Sequence, residues 1–249
     1  MARLMRLFAG LALLPFCWAV AAAVLDLSPS TMTSRPPWIA SSLLFMAAGY
    51  VCWPLIFTFM PTPVRAYIWG HELTHAVWGL LTGARVGSIK VGPAGGSVRL
   101  SRAGLFTTLA PYFVPFYTLL LLLLRLLLGM FVEMGRWDSL WLFLIGFTWG
   151  FHLSFTLRSL AQRQPDIQAA GRMFSYVLIF ILNTLALGYC LVAVTAATAP
   201  HFHKRLALRA AGAYRGTGRS IVRAGARGHE ALRRISHDSD RTHLLDELQ

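Results

Sequence analysis

Six stretches of mainly apolar residues dominate this chain, at 5–25, 38–60, 64–83, 103–132, 138–160 and 172–199. At about 1.5 Å per residue, a helix of each length crosses a ~30 Å hydrocarbon core or most of it. Composition points the same way. Of 249 residues, 56% are hydrophobic and 13% charged, whereas soluble domains carry roughly 25% charged residues. That balance argues against a water-soluble enzyme. Collagen-like, coiled-coil and disulfide-scaffold folds need compositions that the chain lacks. The expected fold class is an all-α polytopic membrane protein of about six transmembrane helices with a short β-hairpin, placed in the cell membrane.

The breaks between apolar runs suggest the organisation. Pro36-Pro37 and the pair Pro61 and Pro63 separate the first three spans. The sequence therefore divides into an N-terminal two-span segment (1–61), a core (62–199) and a basic C-terminal tail (200–249). Arg3 and Arg6 precede the first span, and Ala21-Ala22-Ala23 resembles a cleavable signal end. The apolar run is longer than a usual signal core, which favours a retained span. Cys17, Cys52 and Cys190 lie singly in apolar runs, so neither a disulfide framework nor a zinc knuckle is expected.

Net charge is +13, and residues 201–249 alone hold 10 basic and 5 acidic groups. The tail reads as an arm attracted to anionic lipid. No recognised nucleic-acid fold accompanies the charge, so no nucleic-acid partner is expected. Arg215, Arg219, Arg223 and Arg227 recur every four residues, which on a helix makes one stripe. Gly216, Gly218 and Gly225 weaken such a helix.

Residues 84–102 break the apolar pattern. Short alternating segments, 85–91 and 97–101, flank Gly92-Pro93-Ala94-Gly95-Gly96. That is the signature of a β-hairpin with a five-residue loop. Orientation is left open: six full crossings put the hairpin and the 158–172 loop on one face and the N-terminus and tail on the other. All four are positive, so either one segment does not fully cross or the tail is exported.

The chemistry concentrates in Trp69-Gly70-His71-Glu72-Leu73-Thr74-His75-Ala76. Residues four apart share a helix face, so His71 and His75 can point a ring nitrogen at one zinc ion. Glu72 lies about 100° round, in reach of a zinc-activated water as general base. The chain has only four glutamates, and this one lies between two histidines in an apolar setting. Ionisable groups at membrane depth cost a few kcal/mol each unless compensated, and a metal compensates all three. Without a metal, they would make a polar contact between helices. The metzincin extension is absent, because Trp78 and Leu81 occupy the positions of its glycine and third histidine. Glu133 sits near the far end of the next span, too distant to serve as a downstream ligand.

The third ligand has to come from another span. Asp166, within Gln164-Pro165-Asp166-Ile167, lies in a loop on the same face as the hairpin. It would complete a His₂-carboxylate site with an open fourth position, or else simply complement a helix N-terminus. His152 is the alternative, as ligand, supporting partner or oxyanion stabiliser. Gly146 and Gly150 form a G-x-x-x-G step for close helix packing. Asn183 is a further polar group positioned to bond near the site.

With the His71-Glu72-Leu73-Thr74-His75 segment, the Gly-rich hairpin, a following span and a late aspartate, residues 62–190 resemble the site-2 protease family. These are intramembrane zinc metallopeptidases, and the likeness is to the compact M50B-like branch. The family usually shows Asp-Gly after an upstream N-x-x-P, where this chain has Asp166-Ile167. The resemblance implies zinc held by His71, His75 and Asp166, with Glu72 as catalytic base, and a membrane-embedded protein as substrate. No PDZ or CBS module is visible. Strand addition at the hairpin edge is the expected way of holding an extended substrate. A non-catalytic metal-binding scaffold and an ion transporter are the alternatives that share these residues.

Overall fold

The computed structural model describes residues 2–27, 37–92, 95–194 and 198–246. The part of the Pro36-Pro37 break at Pro36 lies outside the described residues, as do Pro93 and Ala94. The elements run α1 (Ala2–Leu25), α2 (Pro37–Phe59), α3 (Val64–Leu81), β1 (Val86–Gly92) and β2 (Gly95–Leu100). There follow α4 (Leu105–Phe113), α5 (Phe116–Leu128), α6 (Asp138–Leu160), α7 (Pro165–Ala170), α8 (Arg172–Val194) and α9 (Ala199–Asp246). The fold is mostly helical, with one two-stranded antiparallel hairpin.

Four helices, α1, α2, α6 and α8, are long and apolar enough to cross a membrane; α4 and α5 together make a fifth if taken as one broken span. The stretch expected as one span at 103–132 is thus two helices bent by 76°. The cause is local. Pro115 has no N–H to continue the ladder, and it forces Val114 into an extended conformation (φ −98°, ψ 109°). The third expected span, at 64–83, forms α3, which is not among the membrane-crossing candidates. It has 18 residues, but Arg65, His71, Glu72 and His75 dilute its apolar character.

The hairpin is tighter than expected. Val86 pairs with Leu100 and Gly92 with Gly95, so only residues 93–94 connect the strands. Gly92, Gly95 and Gly96 belong to the ladder instead of the loop. Gly95 has φ +153°, which a side chain would disfavour.

Packing ties both ends of the chain to the core. The G-x-x-x-G step of α6 lies directly on α2: a Cβ at Gly146 would collide with the Met46 carbonyl, and one at Gly49 with the Phe143 carbonyl. Trp53 of α2 fills the adjoining space against Phe147 and Phe151 of α6. Arg125, which interrupts the most apolar run, pairs with Asp138 at the start of α6. Arg6, at the start of α1, donates to the Ala169 carbonyl of α7. The N-terminus of α1 and the 158–172 loop therefore share one end of the molecule.

The basic tail begins as a helix packed on the body. Phe202 of α9 is buried among Ala23 and Val24 of α1 and Leu27 just beyond it, and the Tyr214 hydroxyl donates to the Ala12 carbonyl. Hence α9 runs back antiparallel along α1. Its Arg209 grips Asp26 with two hydrogen bonds of 2.7 Å. That hydrogen bonding holds the Asp26 carboxyl below its ordinary range, against the opposing effect of desolvation.

Candidate metal centre

The i, i+4 spacing puts His71 and His75 on one face of α3, with ring centroids 4.9 Å apart and planes nearly perpendicular at 79°. Onto this face comes Asp166, from the first turn of α7. Pro165 at the helix start sets the turn, and Ile167 and Ala170 anchor α7 in a core cluster with Leu109, Tyr112 and Ile179. Asp166 Oδ2 lies 3.5 Å from His71 Nε2 and 3.4 Å from His75 Nε2. One ligand atom from each of the three residues falls within 4.8 Å of the others, so the cluster can hold a metal ion.

Hydrogen bonds behind the rings orient both imidazoles, and one of them sets a tautomer. His75 Nδ1 is 2.9 Å from the Thr107 carbonyl, which can only accept. The proton of a neutral His75 therefore sits on Nδ1, leaving a bare Nε2 lone pair toward Asp166. His71 Nδ1 lies 3.2 Å from the Tyr67 hydroxyl, itself 2.7 Å from Ser159 Oγ. The Tyr67 ring is fixed by stacking on Phe155, at 4.5 Å and 5°. Such partners behind ligating imidazoles fix ring orientation in metal sites. With both Nε2 atoms turned toward a carboxylate, the electrostatics favour a cation between them, either protons or a metal. Two imidazole nitrogens and one carboxylate oxygen suit zinc and its neighbours among the divalent transition metals.

Asp166 is further held by the Tyr112 hydroxyl, which donates to Oδ2 at 3.2 Å. Asn183 Nδ2 donates to the Tyr112 carbonyl at 2.9 Å, so the asparagine supports the site through Tyr112. Burial pushes the Asp166 carboxyl up. When the imidazoles are protonated at Nε2, their hydrogen bonds and charges outweigh burial and hold it well below the usual carboxylate range. The group is thus poised as an anion.

Glu72 is 7% exposed and lines the same cleft of about 640 Å³ as His71, His75 and Asp166. The other wall is β2. A Cβ on Gly96 would stand 2.6 Å from Ile68 Cγ2 and 2.7–2.8 Å from the Glu72 side chain. Only glycine lets the hairpin sit this close to the glutamate.

His152 does not join the cluster. It is buried in α6 and belongs to no group of potential ligands among the described residues. Its Nε2 is buried without a hydrogen-bond partner in the described structure. Sequence reasoning missed Tyr67, Thr107, Tyr112 and Ser159. Tyr67 alone left a local signal, being one helical turn before His71; the other three meet the site only through tertiary packing.

Tyr67→Phe keeps the ring stack and removes the hydroxyl. Metal affinity should fall about 10–100-fold, measured by competition with a chromophoric chelator. Unchanged affinity would show that the Ser159–Tyr67 chain does not orient His71.

Comparison with protein-family models, curated proteins and solved structures found no match.

Proposed function

We propose that this protein is a zinc-dependent intramembrane endopeptidase, of the kind the site-2 protease resemblance implies. The observation that carries the reading is the arrival of Asp166, from a distant element, at the Nε2 atoms of two imidazoles on one helix face. His71, His75 and Asp166 hold the ion. Zinc, when bound in such a set, lowers the pKa of a water toward ~7 and polarises a carbonyl. Glu72 takes the proton of the attacking water and returns it to the departing amine. Burial of Glu72 beside Gly96 and Ile68 keeps bulk water away from that transfer.

A helical substrate hides its carbonyls in its own hydrogen bonds and must unwind before attack. The hairpin has only two strands, and residues 95–98 of β2 line the cleft. An unwound segment adds to the hairpin as a further strand. Neighbouring residues alternate in which edge their N–H faces. One of Ser97→Pro and Val98→Pro therefore removes a donor from the open edge. Cleavage should drop in that variant with metal content preserved; undiminished cleavage in both would reject strand addition.

Five crossings, with α3 entering but not traversing, put Arg3, Arg6, the hairpin and the 158–172 loop on one face. The positive-inside rule makes that face cytoplasmic.

The test of the whole reading is elemental analysis of purified protein alongside hydrolysis of an apolar peptide in micelles. About one zinc per chain is expected in the wild type, with loss in His71→Ala and Asp166→Ala. Chelation should stop hydrolysis and zinc should restore it. Metal-free wild type that cannot be loaded with zinc would end the proposal.

A further inference from the structure

The peptidase reading leaves open what the cleft selects, and its charges bear on that. Arg158, in the last turn of α6, is the only lysine or arginine among the described residues lining the cleft. The two acids that share the cleft, Glu72 and Asp166, belong to the metal centre. No carboxylate among the described residues forms an ion pair with Arg158. Arg158 is exposed, and its guanidinium faces an aromatic ring: the central carbon lies 5.9 Å from the Phe57 ring centroid, and that ring packs edge-on against Phe155 at 5.2 Å. Phe155 in turn stacks on Tyr67, and Ser159, which follows Arg158 in the chain, bonds the Tyr67 hydroxyl. The cation is thus joined through one rigid aromatic stack to the residue that orients His71.

A guanidinium fork pairs with a carboxylate through two parallel hydrogen bonds. We infer that Arg158 is a specificity-determining residue that receives a carboxylate of the substrate near the bond to be cleaved. The carboxylate comes from an acidic side chain or from the end of the substrate chain, and the two sources share this chemistry. Arg158 also complements the C-terminal dipole of α6, a structural role that lysine fills equally well, whereas lysine lacks the planar fork.

The inference rests on the peptidase reading, and the experiment separates the two. The probes are quenched-fluorophore peptides with one apolar helical segment, presented in detergent micelles to the zinc-loaded full chain. One series carries Glu, Gln or Lys at successive positions on either side of the cleavage point. A second series ends in a free acid or an amide. Wild type is expected to prefer a carboxylate at one position, or at the free terminus, by about tenfold in kcat/KM, mainly through KM. Arg158→Gln should abolish the preference and Arg158→Glu should turn it toward the Lys probe. Arg158→Lys should retain only part of it. Zinc content and the cleavage rate of the Gln probe report that the variants remain folded. Equal cleavage of all probes by wild type, or a preference that survives in Arg158→Gln, overturns the inference and leaves the peptidase reading standing. If wild type cleaves no probe, both fall together.

Discussion

Glu72→Gln is expected to keep its zinc and to lose turnover by about 10²–10⁴-fold, the usual contribution of a positioned acid–base group. That corresponds to roughly 2.7–5.5 kcal/mol of barrier. The amide has the shape of the carboxylate, so its close approach to Gly96 is undisturbed. It cannot take a proton from water. Glu72 is not among the three residues whose ligand atoms converge, so metal content should match wild type within error. The paired measurement, elemental analysis and initial rate on one preparation, discriminates sharply. A metal-binding scaffold loses nothing on this substitution. A transporter that uses buried histidine and aspartate predicts flux in liposomes and no hydrolysis to lose. Loss of metal together with rate would instead make Glu72 part of the ligand set and would require a different base.

The second large effect concerns the fold that carries the site. Gly146→Val should destabilise the protein by ~3 kcal/mol or more, because the new side chain meets backbone at Met46 and Tyr50 and not a mobile side-chain end. On the scale of soluble domains of this size, that lowers Tm by about 6–12 °C, read by thermal unfolding in detergent. Gly49→Val should act alike, since the same helix pair is separated from the other side. Gly212→Val is the control, because nothing lies within 4 Å of a Cβ there. A Gly146→Val protein as stable as wild type would mean that α2 and α6 do not pack backbone to backbone. The consequence reaches the site: α6 carries Phe155, Arg158 and Ser159 to the cleft, and its register against α2 sets where they arrive.

Much of this protein is local, and that part was legible in the sequence. The length and apolarity of α1, α2, α6 and α8 follow from composition over about twenty residues. The hairpin follows from alternation around glycines, and the shared face of His71 and His75 from a helical period of 3.6. Glu72 follows from its place in the same turn. Interruptions were harder to read. Pro115 breaks the span expected over 103–132, but its effect on direction, the 76° bend between α4 and α5, depends on what the two halves pack against.

Tertiary structure alone decided which distant group closes the cluster. Asp166 and His152 were both admissible as third ligands from the sequence, since each lies near one end of the same helix, α6. The structure brings Asp166 to both rings and leaves His152 inside the helix packing, because Pro165 starts α7 at the cleft and Ile167 and Ala170 pin it to Leu109 and Tyr112. The partners of the imidazoles, Thr107 and the Ser159–Tyr67 pair, arise in the same way. Helix periodicity fixes what one turn presents, and only the packing of α4, α6 and α7 against α3 fixes what it is presented to.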